Sequence, residues 1–540
     1  MFLLITRSII CYGKAIISAR YNLYTVRTSM KRLLQYIAIS VLCAVSSLPA
    51  TAGTAVSQLK KYNVSGDAQK YTFPQKEKYL TVLVFVNGKN DLEKYAVEDI
   101  NELEKVGSTD KVNFVVEAGR ASFDADWDDQ SDNDWTGTKR FYIVKDDNPG
   151  RITSPIIEST SSADMGSVDS VAAFLAWGKK NYPAKKYILV LWDHGSGWLD
   201  TEPVQFPTKP QGDRAILSDF EKGTHVNSVD LVKIFEKAGS VNVLAMDACL
   251  MQTIEVAYSL RKYVPVVAAS EELEPGDGYN YTYFAQNLIK TATATDAKMG
   301  AAIVNAFAKG YQGSDDSRTH SAVKTAALGS VLNQIVTLEK AILSAVEKNP
   351  ETLEQLKYAL MTSFRFRVSG FNETSILSSL ENSTNGDLYN LASKISFWVQ
   401  DKKVSEAAFW LQERIRNAVI ANTVGGSTYI ITAYQKPGPM IANKWDFELE
   451  ETKYNIGNIV KGLAVRIPAM NGRTPDATTP YESYEFEQRT KWGKFWQYIT
   501  AKIGQYETKN KIPNPIVNIT GKKDPMKKSR VNSSDMIRPK

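Results

Sequence analysis

An α/β fold with a mostly parallel sheet and helices on both faces is the architecture this sequence predicts, on three observations. Apolar runs at Tyr79–Val86 (YLTVLVFV), Lys186–Trp198 (KYILVLWDHGSGW) and Val241–Met251 (VNVLAMDACLM) are too continuous for strands wetted on one face. Helical periodicity separates them, which is the alternation of βαβ units. Each run ends in a polar or glycine-rich step, and the carboxyl ends of parallel strands are where such sheets carry function.

Composition sets the outer limits. The 540 residues are 43% hydrophobic and 23% charged, an ordinary globular balance with ample core. Net charge is +6, the 65 Lys and Arg are scattered, and no basic stripe alternates with aromatics, so nucleic acid is not expected as a partner. No P-loop, dinucleotide fingerprint or zinc spacing is present, and no internal repeat. Of three cysteines, Cys11 and Cys43 fall in the amino-terminal segment, leaving Cys249 as the one thiol of the mature chain.

Before Asp67 there is no acidic residue. Met30-Lys31-Arg32, the apolar stretch Leu33–Leu48 and Ala50-Thr51-Ala52 stand in the order of a secretory signal peptide, with cleavage expected after Ala52 and translation expected to start at Met30. The expected location is secreted or periplasmic. The apolar stretch is short for a membrane span, and none is expected in the mature chain.

In order, the expected elements are a strand at 79–86 ending at Asn87-Gly88, a helix at 91–105, strands at 111–117 and 140–144, and a helix at 167–180 capped by Ser167. The two long apolar runs then supply strands ending near His194 and Cys249, and a further strand follows at 264–270. Periodicity turns helical between 331 and 424, with segments at 352–363, 387–400 and 405–422. Late strands at 427–434 and 462–468, added to the sheet or to a small neighbouring lobe, and an aromatic-rich helix at 490–503 close the fold. From Tyr506 onward nine Lys or Arg stand against three acids, the composition of a mobile tail. The expected division is signal peptide 1–52, polar lead-in 53–78, catalytic core 79–330, helical region with late strands 331–505, and basic tail 506–540.

His194 and Cys249 carry the chemistry. They are 55 positions apart, yet each ends a buried strand, so one crevice can hold a thiol and an imidazole together. A thiol of reference pKa ~8.5 is a few per cent ionised at neutral pH and needs such a base. Alone, Cys249 would read as a small buried hydrophobe and His194 as a satisfied strand-end histidine; together they read as a catalytic dyad. His225 and His320 lie in polar segments and are expected to be solvated. Backbone N–H groups of Gly195 and Cys249 are the expected oxyanion donors. Asp193 is expected to order the local backbone. Ser196 is not a serine-hydrolase nucleophile, because His194 stands where the G-x-S-x-G elbow has glycine.

LVLWDHGSGW, MDACLM and, 21 residues after the cysteine, SEELEPGDG resemble the clostripain family of cysteine peptidases, in the caspase-like superfamily. VLVFVNGKNDLE, WTGTKRFYIVKDD, GDLYNLA, GLAVRIP and the FWQYI helix extend the resemblance from about Tyr79 to Ile503. It implies a caspase-like αβα sandwich with a small carboxyl-terminal lobe, and cleavage of peptides after Arg or Lys, the residue termed P1. A basic P1 side chain needs an acidic pocket. Asp247, two residues before the cysteine and so on its side of the strand, and Asp277 in the PGDG turn are the candidates. On spacing alone Asp277 is equally a plain turn aspartate.

The resemblance further implies activation by an internal cut. The Pro- and Gly-rich stretch from Asp200 to His225 offers Lys209, Arg214 and Lys222. Lys209 precedes a proline, so Arg214 is the better bond. No cofactor is expected. Calcium is the one open case: Phe123–Asp134 opens with alternate aspartates, but it lacks the glycine and terminal glutamate of an EF-hand and reads as a solvated acidic loop. Two rival functions share these features, a catalytically silent binding protein on the same fold and a thiol enzyme that passes the acyl group to an amine. The oligomeric state is not legible.

Overall fold

A computed structural model describes residues 63–64, 75–122, 128–199, 216–314, 318–366, 383–435, 447–455, 457, 459–469 and 480–510. The expected signal peptide, the tail beyond Asn510 and residues 200–215 lie outside the described residues.

Strand β2 (Lys78–Gly88) is the first of the apolar runs, and its alternation builds two cores at once. Leu80, Val82, Val84 and Val86 belong to one buried cluster with Ala96 and Ile100 of α1 (Glu93–Glu104). Leu83 and Phe85 face the other side, toward α2 (Val168–Asn181). There the Phe85 and Phe174 rings lie 6.0 Å apart, and a Cβ on Gly178 would come within 2.4 Å of Leu83. Ser167 caps α2, its Oγ accepting the Ser170 N–H at 3.2 Å, as the sequence predicts.

β3 (Val112–Arg120) and β6 (Ala184–Trp192) flank β2 in parallel, with Val84 opposite both Val116 and Val190. β9 (Val243–Asp247) lies parallel to β6, and β10 (Val266–Ala269) parallel to β9. These five make the parallel centre of a ten-stranded sheet. Antiparallel strands extend both edges: β4 (Gly137–Tyr142), β5 (Ile156–Thr160) and β1 (Asn63–Val64) beyond β3, and β11 (Arg318–Lys324) and β13 (Val419–Gly425) beyond β10. α5 (Tyr281–Thr291) and α6 (Asp296–Gly310) join α1 on its face through Phe284, Ile303 and Phe307.

Two placements differ from expectation. The helix expected to run to residue 422 stops at Ala418, because Val419–Gly425 pairs with β11 and completes the sheet; sheet closure overrides local helical pattern. The lead-in contributes an edge strand, β1. The strand expected at 427–434 appears as β14 (Ser427–Gln435), paired with β15 (Phe447–Asn455) in a two-stranded ribbon apart from the large sheet. The late strand expected at 462–468 appears as β16 (Ala464–Arg466), paired with β12 (Asn385–Asp387).

Between them, α7 (Leu328–Lys348) packs against α10 (Lys402–Ala418) with Val331, Leu332, Ile335, Leu338 and Ile342 buried. Of the described helices, the α7 segment is the one apolar and long enough to cross a membrane. The closing helix is broken at Lys491, in the left-handed conformation, into Glu485–Thr490 and Trp492–Asn510.

Candidate active site

Because β2 has β3 on one side and β6 on the other, the chain reverses its direction across the sheet there, and at such a point open α/β sheets carry their ligand crevice at the carboxyl ends. The ends of β2, β6, β9 and β10 all deliver side chains or backbone to it.

β6 ends at Trp192, and Asp193, His194 and Gly195 follow. Asp193 is buried and accepts the amides of Asn87 and Asn90, each at 2.7 Å, and the His194 N–H at 2.6 Å. It therefore ties the β2 end to the β6 end and orders the backbone, as expected. His194 Nε2 lies 2.8 Å from Asp91 Oδ1, so Asp91 holds the ring through that nitrogen.

The glycine after it is required by space. A Cβ on Gly195 would stand 2.4 Å from the Cys249 carbonyl oxygen and 3.1 Å from Ala248 Cβ. This contact brings the His194 turn directly against the Cys249 turn. Among the described residues, the Gly195 N–H joins no backbone carbonyl.

Cys249 follows β9 and is half-buried. The turn is tight: Leu250 takes φ +65°, left-handed for a side chain that disfavours it. Two hydrogen bonds hold it there, Leu250 N–H to Glu272 O at 3.1 Å and Gln252 N–H to Ser270 O at 2.8 Å. The Glu274 N–H points at the Cys249 sulfur at 3.2 Å.

Asp247, the last residue of β9, is buried under the loop that follows β10. Both its oxygens take the Tyr279 N–H, at 3.1 and 3.2 Å, and Oδ2 accepts from Tyr281 Oη at 3.0 Å. Gly278 makes this approach possible, since a Cβ there would be 2.9 Å from Oδ1. Burial raises the Asp247 carboxyl to about 6, against the hydrogen bonds that favour its charge. Asp277 is exposed at the tip of the same turn, where Gly278 N–H meets Pro275 O at 2.9 Å. The structure thus brings the Asp277 turn onto Asp247 but buries only Asp247.

Two acids at this site are not among the expected site residues, although both fall inside matched motifs. Asp91 sits in the turn after β2 beside His194 Nε2, and Glu274 lies in the loop after β10 with its N–H on the Cys249 sulfur. The SEELEPGDG stretch contains Glu274, but nothing in its spacing separates it from Glu271 and Glu272.

The other histidines are engaged elsewhere. His225 Nε2 is 3.0 Å from Asn227 Oδ1 in the hairpin of β7 (Ile216–Asp219) and β8 (Thr224–Val226). His320, expected to be solvated, is fully buried in β11 with Nε2 2.5 Å from Tyr279 Oη, and burial lowers it to about 3. The polar segment around it is a sheet strand covered on both faces. Lys222 lies in the β7–β8 turn, its N–H on Asp219 Oδ1 at 2.9 Å; Lys209 and Arg214 lie outside the described residues. Of the acidic stretch at 123–134, residues 123–127 also lie outside. Its Asp129 faces Arg120, and Asp132 accepts from Trp135 Nε1 and Ile152 N–H.

The model of the clostripain family, Peptidase C11, matches residues 84–499 of the chain. Clostripain from Hathewaya histolytica is 28% identical over 225 residues, which are 38% of this chain and 41% of that relative, so the match spans less than half of the relative's length. A secreted C11 cysteine protease from Bacteroides thetaiotaomicron, solved with an irreversible peptide inhibitor, is similar at TM-score 0.52 over 78% of this chain and 99% of its own, with 19% identity. An inactive zymogen C11 protease from Parabacteroides distasonis is similar at TM-score 0.52 over 77% and 99%, with 18% identity.

Proposed function

Because this chain belongs to the clostripain family, we propose that it is a secreted cysteine endopeptidase that cuts after Arg or Lys with a His194/Cys249 dyad. The observation that carries the reading is the close contact of the His194-Gly195 turn with the Cys249 carbonyl, with the imidazole held from behind by Asp91. As thiolate, Cys249 attacks the scissile carbonyl carbon while His194 keeps its proton. The oxyanion is stabilised by the N–H groups of Gly195 and Cys249. His194 then gives the proton to the leaving amine, and a water deprotonated by the same imidazole cleaves the thioester. Buried Asp247 supports a basic P1 preference, with Asp277 as a second acid at the pocket's outer wall.

The thiol and imidazole supply nucleophile and base, so the chemistry requires no cofactor. A chelator should leave kcat unchanged; a loss restored by calcium would give the 123–134 segment a role. Self-cleavage is assigned to Arg214-Ala215, since Lys222 is held in a hydrogen-bonded turn and Lys209 precedes proline. An active preparation should run as two fragments on a denaturing gel and the Cys249→Ala form as one.

The test of the reading is a panel of fluorogenic peptides differing at P1. Cleavage confined to Arg and Lys supports it, cleavage indifferent to P1 refutes the pocket, and no cleavage at all refutes the activity.

A further inference from the structure

Resting on the dyad reading, we propose that Lys89 and Glu221 are a positioning pair for His194: their buried ion pair clamps the β7–β8 hairpin onto the turn after β2 and so fixes Asp91 against the imidazole. Both act on the chemistry through Asp91.

Lys89 follows directly on β2, and its side chain is fully buried. A buried ammonium is costly unless it is paired and hydrogen-bonded. Lys89 Nζ lies 3.2 Å from Glu221 Oε2 and 3.8 Å from Asp219 Oδ2, and it donates to Ala163 O at 2.9 Å. Two carboxylates and a carbonyl therefore surround one cation. The stem passes close to β3, where a Cβ on Gly119 would stand 3.3 Å from Lys89 Cγ.

Both carboxylates come from the hairpin, and its hold on the turn extends to the backbone. The Phe220 N–H donates to Lys89 O at 2.9 Å, and Asn90 Nδ2 donates to Ser218 O at 2.9 Å as well as to Asp193. Asn90 Oδ1 accepts the Leu92 N–H at 2.9 Å. Asp91 thus stands between pinned neighbours, and its Oδ1 meets His194 Nε2. Leu217, just before Ser218, takes φ +61°, a conformation a leucine keeps only where its surroundings impose it.

The two hairpin acids are held differently. Asp219 is fixed by backbone donors, taking the Met165 N–H and the Lys222 N–H at 2.9 Å each. Glu221 is held by cations, Lys89 on Oε2 and Lys222 Nζ at 3.2 Å on Oε1. Removing the Glu221 charge therefore loosens the clamp and leaves the hairpin's backbone bonds in place. Looser neighbours let Asp91 and the imidazole drift, and a displacement of about 1 Å at a positioning contact can cost on the order of 10²-fold in rate.

The test is a double-mutant cycle on the full chain with an Arg-P1 fluorogenic peptide. Glu221→Gln, which keeps size and removes charge, should lower kcat about fivefold with KM unchanged, and Glu221→Asp, which keeps the charge, should lose only about twofold. In an Asp91→Asn background either change should add less than about a further 1.5-fold, because the residue through which the clamp acts is already altered. If Glu221→Gln does not fold, Glu221→Asp carries the same cycle. Losses that multiply in the double variant would show that the hairpin does not work through Asp91, and a parental kcat in the Glu221 variants would reduce the pair to a structural one; either overturns the proposal. A parent chain that cleaves no peptide sinks the dyad reading, and the positioning pair with it.

Discussion

Asp193 and Asp247 make an instructive pair. They end neighbouring strands, the Asp193 N–H donates to the Asp247 carbonyl at 3.3 Å, and each is 4% exposed. Their partners differ. Asp193 is surrounded by three N–H donors from residues the fold itself places there. Asp247 has one N–H and a phenol. Burial of a carboxylate therefore does not define its role; the supply of donors does. A saturated acid is a joint in the scaffold, and an under-supplied one suits the pocket proposed for a cationic P1 side chain.

The largest effect isolates the nucleophile from both acids. Cys249→Ala should abolish peptide cleavage while thermal unfolding stays near the parent's, since the thiol is half-buried at a crevice. Activity near the parent's would refute the nucleophile. His194→Ala should lower kcat/KM by ~10²–10⁴-fold, the usual contribution of general acid–base work.

Next come the two acids themselves. Asp247→Asn should cost ~10–100-fold in kcat/KM on Arg and Lys substrates, one charge-assisted hydrogen bond's worth, and leave the fold intact. Asp193→Asn should do the reverse: a loss of ~1–3 kcal/mol in stability, read by urea denaturation, with P1 preference unchanged. A shifted P1 preference in Asp193→Asn alone would invert the comparison.

Stability against pH sharpens it further. The Asp247 carboxyl is raised from 3.8 to about 6 in the folded chain, so folding favours its protonated form. That contribution is present below pH ~4 and is lost as pH rises toward 6. Relative to the parent, Asp247→Asn should gain on the order of 1–3 kcal/mol between those limits, and Asp193→Asn should show no such gain. A flat difference for Asp247→Asn would mean that its burial is relieved in solution.

Asp91→Asn is the smallest of the set. It keeps a partner for His194 Nε2 but removes the charge, and about a tenfold fall in kcat with KM unchanged is expected. An unaltered kcat would remove Asp91 from the positioning of the imidazole.

What the sequence disclosed follows from how far each signal had to reach. The strand ends at His194, Cys249 and Asp247 are legible because uninterrupted apolar runs announce buried strands and the polar step announces their carboxyl ends. Asp91 is brought into the site by a contact 103 positions away, to His194, and no local spacing encodes such a contact. His320 was obscured by polar neighbours, although Thr319 and Ser321 are themselves buried, Thr319 Oγ1 accepting the Glu271 and Glu272 N–H groups and Ser321 Oγ donating to Gly462 O. β13 was obscured by the helix that runs into it: Ala418 ends one period and Val419 begins another with no turn residue between.

The most direct test of the central claim is mass mapping after treatment with irreversible peptide inhibitors differing only at P1. With Lys or Arg at P1 the adduct should fall on Cys249, and it should be lost with norleucine at P1 and in the His194→Ala variant at neutral pH. An adduct on Cys249 regardless of P1 and of His194, or none on Cys249 at all, would contradict the dyad and its acidic pocket.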